Sequence, residues 1–596
     1  MCGIQVHIQQ ASNNDMSDED IKNNGIWDRL TAINRNRGPD SHKEHVVSMA
    51  SIPCSTDSRA QSKKTTIKFG AHVLHLRGPE TQSQPIVSKD AEDVLCWNGE
   101  VFGGIDVGSR NDSMVLFETI QRTKLQDPEH YMLQVFGRIE GPYAFVYLDY
   151  AQQRLWFSRD FLGRRSLLTR RVGLHSLFIS SVADGVDTES EHSKWVELPA
   201  QQIYCLDLAD FSLVSTDGLT DNPFIQHSWR YGSDSEDIPQ SKTDKLVLPF
   251  DQVSLELADR YSVLSNESVS NLDSFPEISK WQPFIDGLER VLIESIRTRV
   301  ESIPFSHGSG SDDPLPRVGI LFSGGVDCIT IAALLTKILP QNEPIELFNV
   351  SFENPRQTKA QNNKIQGSNN GVYDVPDRKT GRQGWLELCD LDPTREWRFV
   401  EVDVPYSQVL EHRAHIRQLL VPSDTVMDMS IGLALWFASK GKGQLVGKDG
   451  SNEAYEGVAR VLLLGMGADE QLGGYSRHRT AWDRGGWMEL GSEIRLDVQR
   501  IATRNLGRDD RIVSDNSKES RYPFLAADVV SFLSQTPLDR KMNMHYPRGI
   551  GEKLLLRLLA YQLGLAKACM LAKRAIQFGA RTAKMESGQT KGQDML

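Results

Sequence analysis

The chain has 596 residues, more than a single hydrophobic core supports, so its length predicts several domains. The formal net charge of −12 argues against general nucleic-acid binding, because phosphate contacts need a basic face. The sequence lacks a run of about 18 apolar residues, a signal-peptide pattern at its start, and any C-x-x-C pair among its seven cysteines. We therefore expect a reduced, cytoplasmic protein without a membrane span, disulfides or a zinc site. The sequence does not define the oligomeric state.

Residues 1–215 contain short apolar segments with a period near two, separated by Gly, Asp and Pro, which is a pattern of β-strands. One helix is predicted over 112–122, with Asp112 as its N-cap. This region is therefore predicted to be a strand-rich domain with a few helices. Its predicted strands include 67–74, 94–97, 143–148, 155–158 and 177–181.

Residues 216–280 are rich in Ser, Asp and Pro with little periodicity, which predicts a linker or irregular connection. From 281 to 585, continuous apolar strands alternate with helices, a pattern typical of a doubly wound parallel sheet with a helical C-terminal part. The polar segments 356–384 and 441–457 are predicted to be loops, and 586–596 a disordered tail. The strands are predicted over 317–322, 344–352, 397–404 and 461–464, and the helices over 327–339 and 425–440.

Cys2 is the first candidate for chemistry, because removal of Met1 would make it the first residue. A terminal cysteine carries its own base: the α-amine titrates at about 7.7–8.0 and the thiol at about 8.5, so proton transfer between them costs little. The amine could then serve as the general base for the thiol. The plain alternative is a small buried residue at the start of a strand.

Further patterns follow in chain order, and each has a structural alternative. Arg-Gly-Pro-Asp at 37–40 is a turn signature. Arg77 follows a predicted strand and could be a surface ion-pair residue. Asn98-Gly99 ends the next strand and is also the strongest hairpin signal. Asp112 could act only as a helix cap.

Together with Met1-Cys2-Gly3-Ile4, this ordered set resembles the glutaminase domain of the class II glutamine amidotransferases, over roughly residues 1–210. The resemblance implies an N-terminal-nucleophile αββα sandwich in which Cys2 attacks the side-chain amide of glutamine. It implies that the Asn98 side chain and the Gly99 backbone N–H hold the oxyanion. Ammonia is then released away from water.

The same resemblance implies a set of glutamine-binding residues. Arg77 would bind the α-carboxylate, since a planar guanidinium makes two parallel hydrogen bonds. Asp112 and the region of Glu100 would hold the α-amino group. Asn98 and Gly99 complete the glutamine site.

A second candidate site is the loop Ser-Gly-Gly-Val-Asp at 323–327, between an apolar strand and an apolar helix. Backbone N–H groups at a helix N-terminus bind anions, and glycines let the chain approach phosphate closely. The Gly-Lys-Ser/Thr ending of a Walker loop is absent. The plain alternative is a strand–turn–helix connection. The loop resembles the pyrophosphate loop of ATP pyrophosphatases, which adenylate a carbonyl oxygen and release pyrophosphate.

A second Gly-rich loop, Gly-Met-Gly-Ala-Asp-Glu at 465–470, resembles the corresponding loop of asparagine synthetases; its alternative is a turn capped by Asp469. Later motifs, in order, extend this resemblance to about residue 585. Several motifs are more similar to a eukaryotic branch separate from the main asparagine synthetases. The later motifs lie at 519–525, 551–554 and 573–578. The motifs that resemble the eukaryotic branch lie at 72–78, 159–165, 375–382, 467–472, 475–479 and 505–511.

This resemblance implies an adenine nucleotide alpha hydrolase-like second domain that uses ATP and Mg²⁺. Asp327 and Asp469 would hold the Mg²⁺ between phosphates. The implied substrates are glutamine, aspartate and ATP, with no nucleic-acid or membrane partner. The implied ATP-binding residues are Phe322, Ser323, Gly324, Gly325, Asp327, Val350, Gly465, Met466 and Lys573.

Three positions depart from the asparagine synthetase pattern. Met466 replaces a Glu that can take a proton from attacking ammonia, and a thioether cannot do so. Ala526 replaces an Asp, and Cys328 stands where Ser is common. Two hypotheses follow. One is a glutamine-hydrolysing asparagine synthetase, a ligase of amino-acid biosynthesis; the other is a diverged scaffold or binding protein, or a glutaminase serving another acceptor.

Overall fold

The computed structural model describes residues 2–10, 18–50, 64–173, 176–185, 194–209, 224–232, 246–258, 272, 278–305, 314–353 and 371–582. The predicted tail at 586–596 lies outside the described residues, as does most of the first half of the predicted loop at 356–384. Within the described ranges, no helix is long and apolar enough to cross a membrane.

The described residues form twenty strands and fifteen α-helices. The strands are β1 (Cys2–Gln10), β2 (Ser41–Ala50), β3 (Lys64–Val73), β4 (Ile86–Val87), β5 (Val94–Gly99), β6 (Tyr143–Asp149), β7 (Arg154–Arg159), β8 (Leu168–Val172), β9 (Ser176–Ser180), β10 (Val196–Glu197), β11 (Gln202–Asp207), β12 (Phe224–Arg230), β13 (Leu246–Val247), β14 (Val318–Leu321), β15 (Ile345–Phe352), β16 (Trp397–Val404), β17 (Lys442–Val446), β18 (Asn452–Glu456), β19 (Val461–Leu463) and β20 (Glu519–Arg521). The helices are α1 (Asp18–Arg37), α2 (Asp112–Gln126), α3 (Tyr131–Phe136), α4 (Gln282–Val300), α5 (Val326–Leu335), α6 (Pro376–Leu391), α7 (Tyr406–Leu420), α8 (Val426–Lys440), α9 (Ala468–Gln471), α10 (Ser476–Arg500), α11 (Leu506–Ser514), α12 (Ala527–Gln535), α13 (Leu538–Lys541), α14 (Leu554–Gln562) and α15 (Ile576–Gly579).

The chain forms two compact units. The first consists of residues 1–248, 417–424 and 502–517, and the second of 249–416, 425–501 and 518–596. Two short segments from the predicted 281–585 domain therefore fold with the first unit. Local sequence patterns do not reveal this, because the two segments form hydrogen bonds with residues that are distant in sequence.

The first unit contains two stacked sheets, ordered β10-β8-β9-β1-β3-β2 and β13-β12-β11-β7-β6-β5-β4. Alternate residues of each strand face the core between the sheets, for example Val6 of β1 and Val146 of β6. On the other face of β1, Gln5 Nε2 donates to Thr31 of α1 at 2.7 Å. On the outer face of the second sheet, Phe136 of α3 stacks on Phe145. This is the expected αββα sandwich.

The predicted connection at 216–280 is not irregular throughout. Residues 224–230 form β12, which pairs antiparallel with β11, and 246–247 form β13, which pairs parallel with β12. Polar residues alternate along β12 because most of its residues are exposed or half-buried, which weakened the strand pattern. Residues 216–223, 233–245, 259–271 and 273–277 of this region lie outside the described part of the chain.

The second unit is built on one seven-stranded sheet, ordered β18-β17-β16-β15-β14-β19-β20. The five strands β16, β15, β14, β19 and β20 are parallel, and β17 and β18 form an antiparallel hairpin at one edge. Most residues of four parallel strands are buried, as expected for a sheet covered on both faces. Their carboxyl ends carry the loops at 322–325 and 464–467.

Two predicted loops are ordered structure. Residues 442–456 form the hairpin of β17 and β18, whose polar strands lie at the sheet edge and are largely exposed. Residues 376–391 form α6, although this segment contains two glycines. Close packing explains them: a Cβ at Gly384 would lie 3.2 Å from Phe322 Cζ, and one at Gly381 would lie 2.4 Å from Asn349 Nδ2. Tertiary packing thus outweighs the low helix propensity of glycine.

Candidate active sites

Cys2 begins β1 and lies at one end of a small cavity in the first unit, where its side chain is buried. Its backbone nitrogen donates to Asn98 Oδ1 at 2.9 Å. If Met1 is removed, this nitrogen becomes the α-amine, and Asn98 would then orient the proposed base beside the thiol. β1 and β5 lie in different sheets, and the contact forms where their ends meet.

The side-chain amide of Asn98 has one paired and one unpaired end. Its Oδ1 accepts from Cys2, while its Nδ2 is buried and has no hydrogen-bond partner among the residues that the structure describes. A buried unpaired N–H₂ group is costly unless a ligand uses it. Gly99 lines the cavity, and a Cβ there would lie 2.5 Å from the carbonyl oxygen of Pro142, so no larger residue fits without movement.

The cavity wall opposite Cys2 combines a cation with buried carboxylates. Arg77 Nη1 donates to the carbonyl of Val101 at 2.6 Å and lies 3.9 Å from Glu100 Oε2. Asp112 Oδ2 accepts from the backbone N–H of Val101 at 3.1 Å. The guanidinium of Arg77 and the carboxylate of Asp112 are complementary in charge to the carboxylate and the ammonium of a free α-amino acid. Asn98 is buried and is not among the lining residues, whereas the other five predicted residues line the cavity: Cys2, Arg77, Gly99, Glu100 and Asp112.

Asn111, rather than Asp112, is the N-cap of α2, because its side chain accepts from Ser113 N. Asn111 Nδ2 also donates to the carbonyl of Arg77. The cap therefore connects the helix to the residue expected to bind the carboxylate. Asp112 keeps its carboxylate for Val101 and the cavity.

Gln84 is a site residue that sequence reasoning missed. Its Oε1 accepts from the backbone N–H of Trp97 at 2.7 Å, and its Nε2 donates to Cys2 Sγ at 3.5 Å. It therefore connects the nucleophile to the strand that carries Asn98. No local pattern marks it, since a single Gln before Pro85 has many structural explanations.

The second cavity surrounds the loop at 323–327 in the second unit. One side chain of α6 and one of β15 hold this loop: Thr380 Oγ1 donates to the carbonyl of Ser323 at 2.7 Å, and Asn349 Nδ2 donates to that of Phe322 at 2.8 Å. Gly324 adopts φ +76°, and a Cβ there would lie 2.1 Å from the carbonyl oxygen of Thr380. The glycine is therefore required both by its conformation and by the close approach of α6.

Two carboxylates converge on one ammonium in this cavity. Lys553 Nζ lies 2.6 Å from Asp327 Oδ2 and 2.7 Å from Asp469 Oδ1, and Lys573 Nζ lies 3.0 Å from Asp469 Oδ2. Gly474 makes room for the contact, since a Cβ there would lie 1.9 Å from Asp469 Oδ1. Lys553 itself adopts φ +55°, an uncommon conformation for a non-glycine residue and frequent at functional sites.

The charges shift the titration of all three groups. Burial opposes ionisation of Asp469, but Lys553 and Lys573 outweigh it and hold its pKa below the ordinary value. Burial and the neighbouring Asp469 raise the pKa of Asp327 despite Lys553. Burial opposes the ammonium of Lys553, but the two carboxylates outweigh it and raise its pKa. Lys553 is therefore charged at neutral pH.

The structure brings some predicted ATP-binding residues together and not others. Ser323, Gly325, Asp327, Asp469 and Lys573 line the cavity. The remaining predicted residues do not line it. Phe322 and Val350 are buried, Gly324 faces α6, Gly465 packs on Asp327 Cβ, and Met466 is half-buried.

Lys553, Asp377 and Thr380 also line this cavity, although sequence reasoning assigned none of them. The motif Gly551-Glu552-Lys553 was recognised as part of the resemblance, but without a role. A lysine 226 residues after Asp327 gives no local signal of an ion pair.

Asp327 and Asp469 are suitable Mg²⁺ ligands in chemistry, since hard carboxylate oxygens beside phosphates are what the ion prefers. No group of three or more His, Cys, Asp or Glu side chains that could hold a metal occurs in the part of the chain that the structure describes. An ion here would therefore depend on substrate phosphates for its other ligands.

Asp377 gives a pH-dependent prediction. Burial raises its pKa from 3.8 to about 7 despite the nearby Arg574. Between these values the folded protein retains a proton that the unfolded chain releases, so stability falls as pH rises from about 4 to about 7. Asp377→Asn removes this penalty. We expect the variant to gain about 2–3 kcal/mol relative to wild type between pH 5 and pH 8, measured by urea unfolding. Asp390→Asn, at an exposed position of α6, should show no such gain, and a pH-independent difference for Asp377→Asn would contradict the assignment.

The fold and the two cavities define a class of protein that joins a glutamine amidotransferase domain to an asparagine synthase domain. Family models agree: the glutamine amidotransferase domain model matches residues 72–186, and the asparagine synthase model matches residues 483–591. The chain belongs to the family of asparagine synthetase domain-containing protein 1.

The relatives match along nearly their whole length. The Homo sapiens asparagine synthetase domain-containing protein 1 is 36% identical, over 100% of this chain and 97% of its own. The Gallus gallus protein is 36% identical over 99% and 98%, and a Drosophila melanogaster asparagine synthetase domain-containing protein is 32% identical over 100% of both. The solved structure of a B. subtilis glutamine phosphoribosylpyrophosphate amidotransferase is 13% identical over 67% of this chain and 81% of its own, with a TM-score of 0.23.

Proposed function

We propose that this protein is a glutamine-hydrolysing asparagine synthetase. Cys2 releases ammonia from glutamine, and ATP activates the side chain of aspartate as an acyl adenylate with release of pyrophosphate. Ammonia then displaces AMP and gives asparagine. Confined ammonia has a high effective concentration and is not lost to solvent. A thiol nucleophile needs reducing conditions, so we place the protein in the cytoplasm.

The observation that carries the first half of the proposal is the contact of Asn98 with Cys2. The Asn98 Oδ1 orients the nitrogen that becomes the α-amine, and the Nδ2 remains available for an oxyanion. In the proposed step, the thiol attacks the glutamine amide carbon, the amine takes the thiol proton, and the developing oxyanion binds Asn98 Nδ2 and Gly99 N–H. The Arg77 guanidinium and the Asp112 carboxylate bind the α-carboxylate and α-amine of the same glutamine.

The second cavity supports the ATP-dependent half. The loop at 323–327 offers backbone N–H groups at the N-terminus of α5, and Lys553 and Lys573 add two ammonium groups. Mg²⁺, when bound at Asp327 and Asp469, would neutralise phosphate charge. Lys553 would leave part of its contact with the carboxylates to bind the phosphates. Positive charge then increases where pyrophosphate leaves.

An isotope experiment tests the proposal. Purified protein receives ATP, Mg²⁺, aspartate and glutamine labelled with ¹⁵N in its side-chain amide. We expect pyrophosphate release that depends on aspartate, together with asparagine carrying ¹⁵N in its amide by mass spectrometry. A reaction without aspartate is the control. Glutamine hydrolysis without aspartate-dependent pyrophosphate would reject asparagine synthesis and leave only the glutaminase half.

A second candidate is a glutaminase that serves another acceptor, and Met466 and Ala526 favour it. Both positions lack a carboxylate that the asparagine synthetase pattern has, so fewer groups can take a proton from attacking ammonia. Met466→Glu discriminates between the candidates. If aspartate is the acceptor, the added carboxylate should raise ammonia-dependent asparagine formation. An unchanged rate would favour the second candidate.

A further inference from the structure

The motifs at 159–165 and 505–511 line neither cavity, yet the structure brings them together inside the first unit. The second motif forms most of α11, a helix from late in the chain. Every residue of this helix is buried, including Asp510 and Arg511. Buried charges are costly unless they are paired, so the charged residues of this helix need hydrogen-bond and ion-pair partners nearby. The positions of those partners indicate the role of the helix.

Asp510 is the centre of the contact. Its Oδ2 accepts from Arg37 Nη2 at 2.8 Å and from the backbone N–H of Ser166 at 3.0 Å. Its Oδ1 lies 3.5 Å from Arg165 Nη1. Arg37 Nη1 also donates to Ser514 Oγ at 2.5 Å, one turn further along α11. One guanidinium thus binds two successive turns of the helix.

The rest of α11 is seated closely on the same unit. Arg511 Nη1 donates to Ser166 Oγ at 2.9 Å and to Glu197 Oε1 at 3.2 Å, and its Nε donates to the carbonyl of Leu419. Gly507 faces Glu197 so closely that a Cβ would lie 1.7 Å from Oε1. The helix therefore has one position on this surface, and Asp510 holds Arg37 at a defined place.

Arg37 ends α1 and begins the turn 37–40, which leads to the Cys2 cavity. A Cβ at Gly38 would lie 2.2 Å from the carbonyl oxygen of His72, so the turn lies directly on β3. Asp40 N donates to the carbonyl of Val73, and Asp40 Oδ2 accepts from the backbone N–H of His75 at 2.8 Å. Val73 and His75 line the cavity and lie four and two residues before Arg77.

We propose that Asp510 is a positioning residue for glutamine binding. Through Arg37, it fixes the turn 37–40, which holds the 73–77 segment of the cavity wall and so the Arg77 guanidinium. Without its charge, the buried Arg37 loses its carboxylate partner and shifts, and the wall shifts with it. This inference rests on the proposed glutaminase function of Cys2. If the inference holds, α11 supports the glutamine site, although it belongs to the region that the asparagine synthase model matches.

The test compares two buried carboxylates in the full-length protein. Asp510→Asn is matched by Asp184→Asn: Asp184 is equally buried and also binds two arginines, Arg170 Nη1 at 2.7 Å and Arg29 Nη2 at 2.7 Å, plus the Trp195 indole N–H. Both variants should lower the unfolding temperature. Only Asp510→Asn should raise the KM for glutamine hydrolysis, by at least about ten-fold, with kcat changed by less than about three-fold.

A milder variant keeps the test valid if Asp510→Asn does not fold. Arg37→Lys retains the charge but loses the two-pronged contact with Asp510 and Ser514, so it should raise KM in the same direction. Equal KM values for Asp510→Asn and Asp184→Asn, or wild-type KM in both Arg37→Lys and Asp510→Asn, would overturn the inference. A wild-type protein that does not hydrolyse glutamine would instead overturn the proposed function on which it rests.

Discussion

Cys2→Ala is expected to lower glutamine hydrolysis at least about a thousand-fold, because it removes the nucleophile and leaves only binding and the oxyanion donors. The alanine occupies the same buried place at the start of β1, so the fold should be retained. Hydrolysis is measured as glutamate formed. Reaction with added ammonium salt, which bypasses the first site, should continue at its wild-type rate.

The matched control is Cys205→Ala, on β11. Burial raises the pKa of the Cys205 thiol to about 12, so it is not a thiolate at neutral pH and its removal should leave hydrolysis intact. Glutamine hydrolysis that survives in Cys2→Ala would exclude Cys2 as the nucleophile. Intact mass spectrometry adds a separate check, since a retained Met1 would leave the thiol without its proposed base.

The residues around the Cys2 cavity were largely predictable because they occur in short motifs with a fixed order. Asn98-Gly99 at the end of β5 and Cys2 at the start of β1 each lie beside a strand that the apolar pattern identifies. What the motifs could not give was the sheet pairing. Only the stacked sheets bring Asn98 Oδ1 to Cys2 N and place Gln84 against the thiol.

Much of the parallel sheet was also predictable, since most of its strands are rich in buried apolar residues and alternate with helices. The predicted strand at 397–404 has the bounds of β16, and the helix predicted over 425–440 is α8 with Thr425 as its N-cap. The hairpin at 442–456 was missed because an exposed edge does not need apolar residues. α6 was missed because its glycines serve packing against Phe322 and Asn349, which local propensity does not express.

The membership of α11 in the first unit could not be predicted for a different reason. Its charged residues, Asp510 and Arg511, have the composition of a solvent-exposed helix. Their burial is stable only because Arg37 and Ser166, more than 340 residues earlier, supply partners. Ion pairs between distant segments leave no periodic pattern, so the sequence alone does not indicate that this segment folds with the first unit.

Lys553→Met is expected to remove the ATP-dependent reaction and to destabilise the second unit. The substitution leaves Asp327 and Asp469 facing each other without their shared cation, and breaking a buried ion pair in this way costs about 3–5 kcal/mol. Pyrophosphate release should fall at least about a hundred-fold, because one ammonium near the phosphates is lost. Lys573 still contacts Asp469 in the variant, so Asp327 is the carboxylate that should lose most of its charge compensation.

The pH dependence of this variant has a defined sign. Without Lys553, burial and mutual repulsion raise the pKa of the carboxyl pair in the folded state, so the folded protein keeps a proton that the unfolded chain releases. Stability of Lys553→Met should therefore fall further below wild type as pH rises from 5 to 8. Urea unfolding at the two pH values measures this, and an equal deficit at both would contradict the proposed charge arrangement.

Lys541→Met is the matched control, since Lys541 is also a fully buried lysine of the second unit. Its Nζ donates only to the carbonyl of Leu533 among the hydrogen bonds described, and burial lowers its pKa to about 7. Replacing an ammonium that burial disfavours by an apolar side chain should be neutral or stabilising, with pyrophosphate release unchanged. The two variants together separate the effect of the ion pairs from the effect of burial. Lys553→Met should be destabilised and Lys541→Met should not, because only Lys553 neutralises Asp327 and Asp469. Similar losses in both variants would mean that Lys553 is simply a buried side chain that the fold needs.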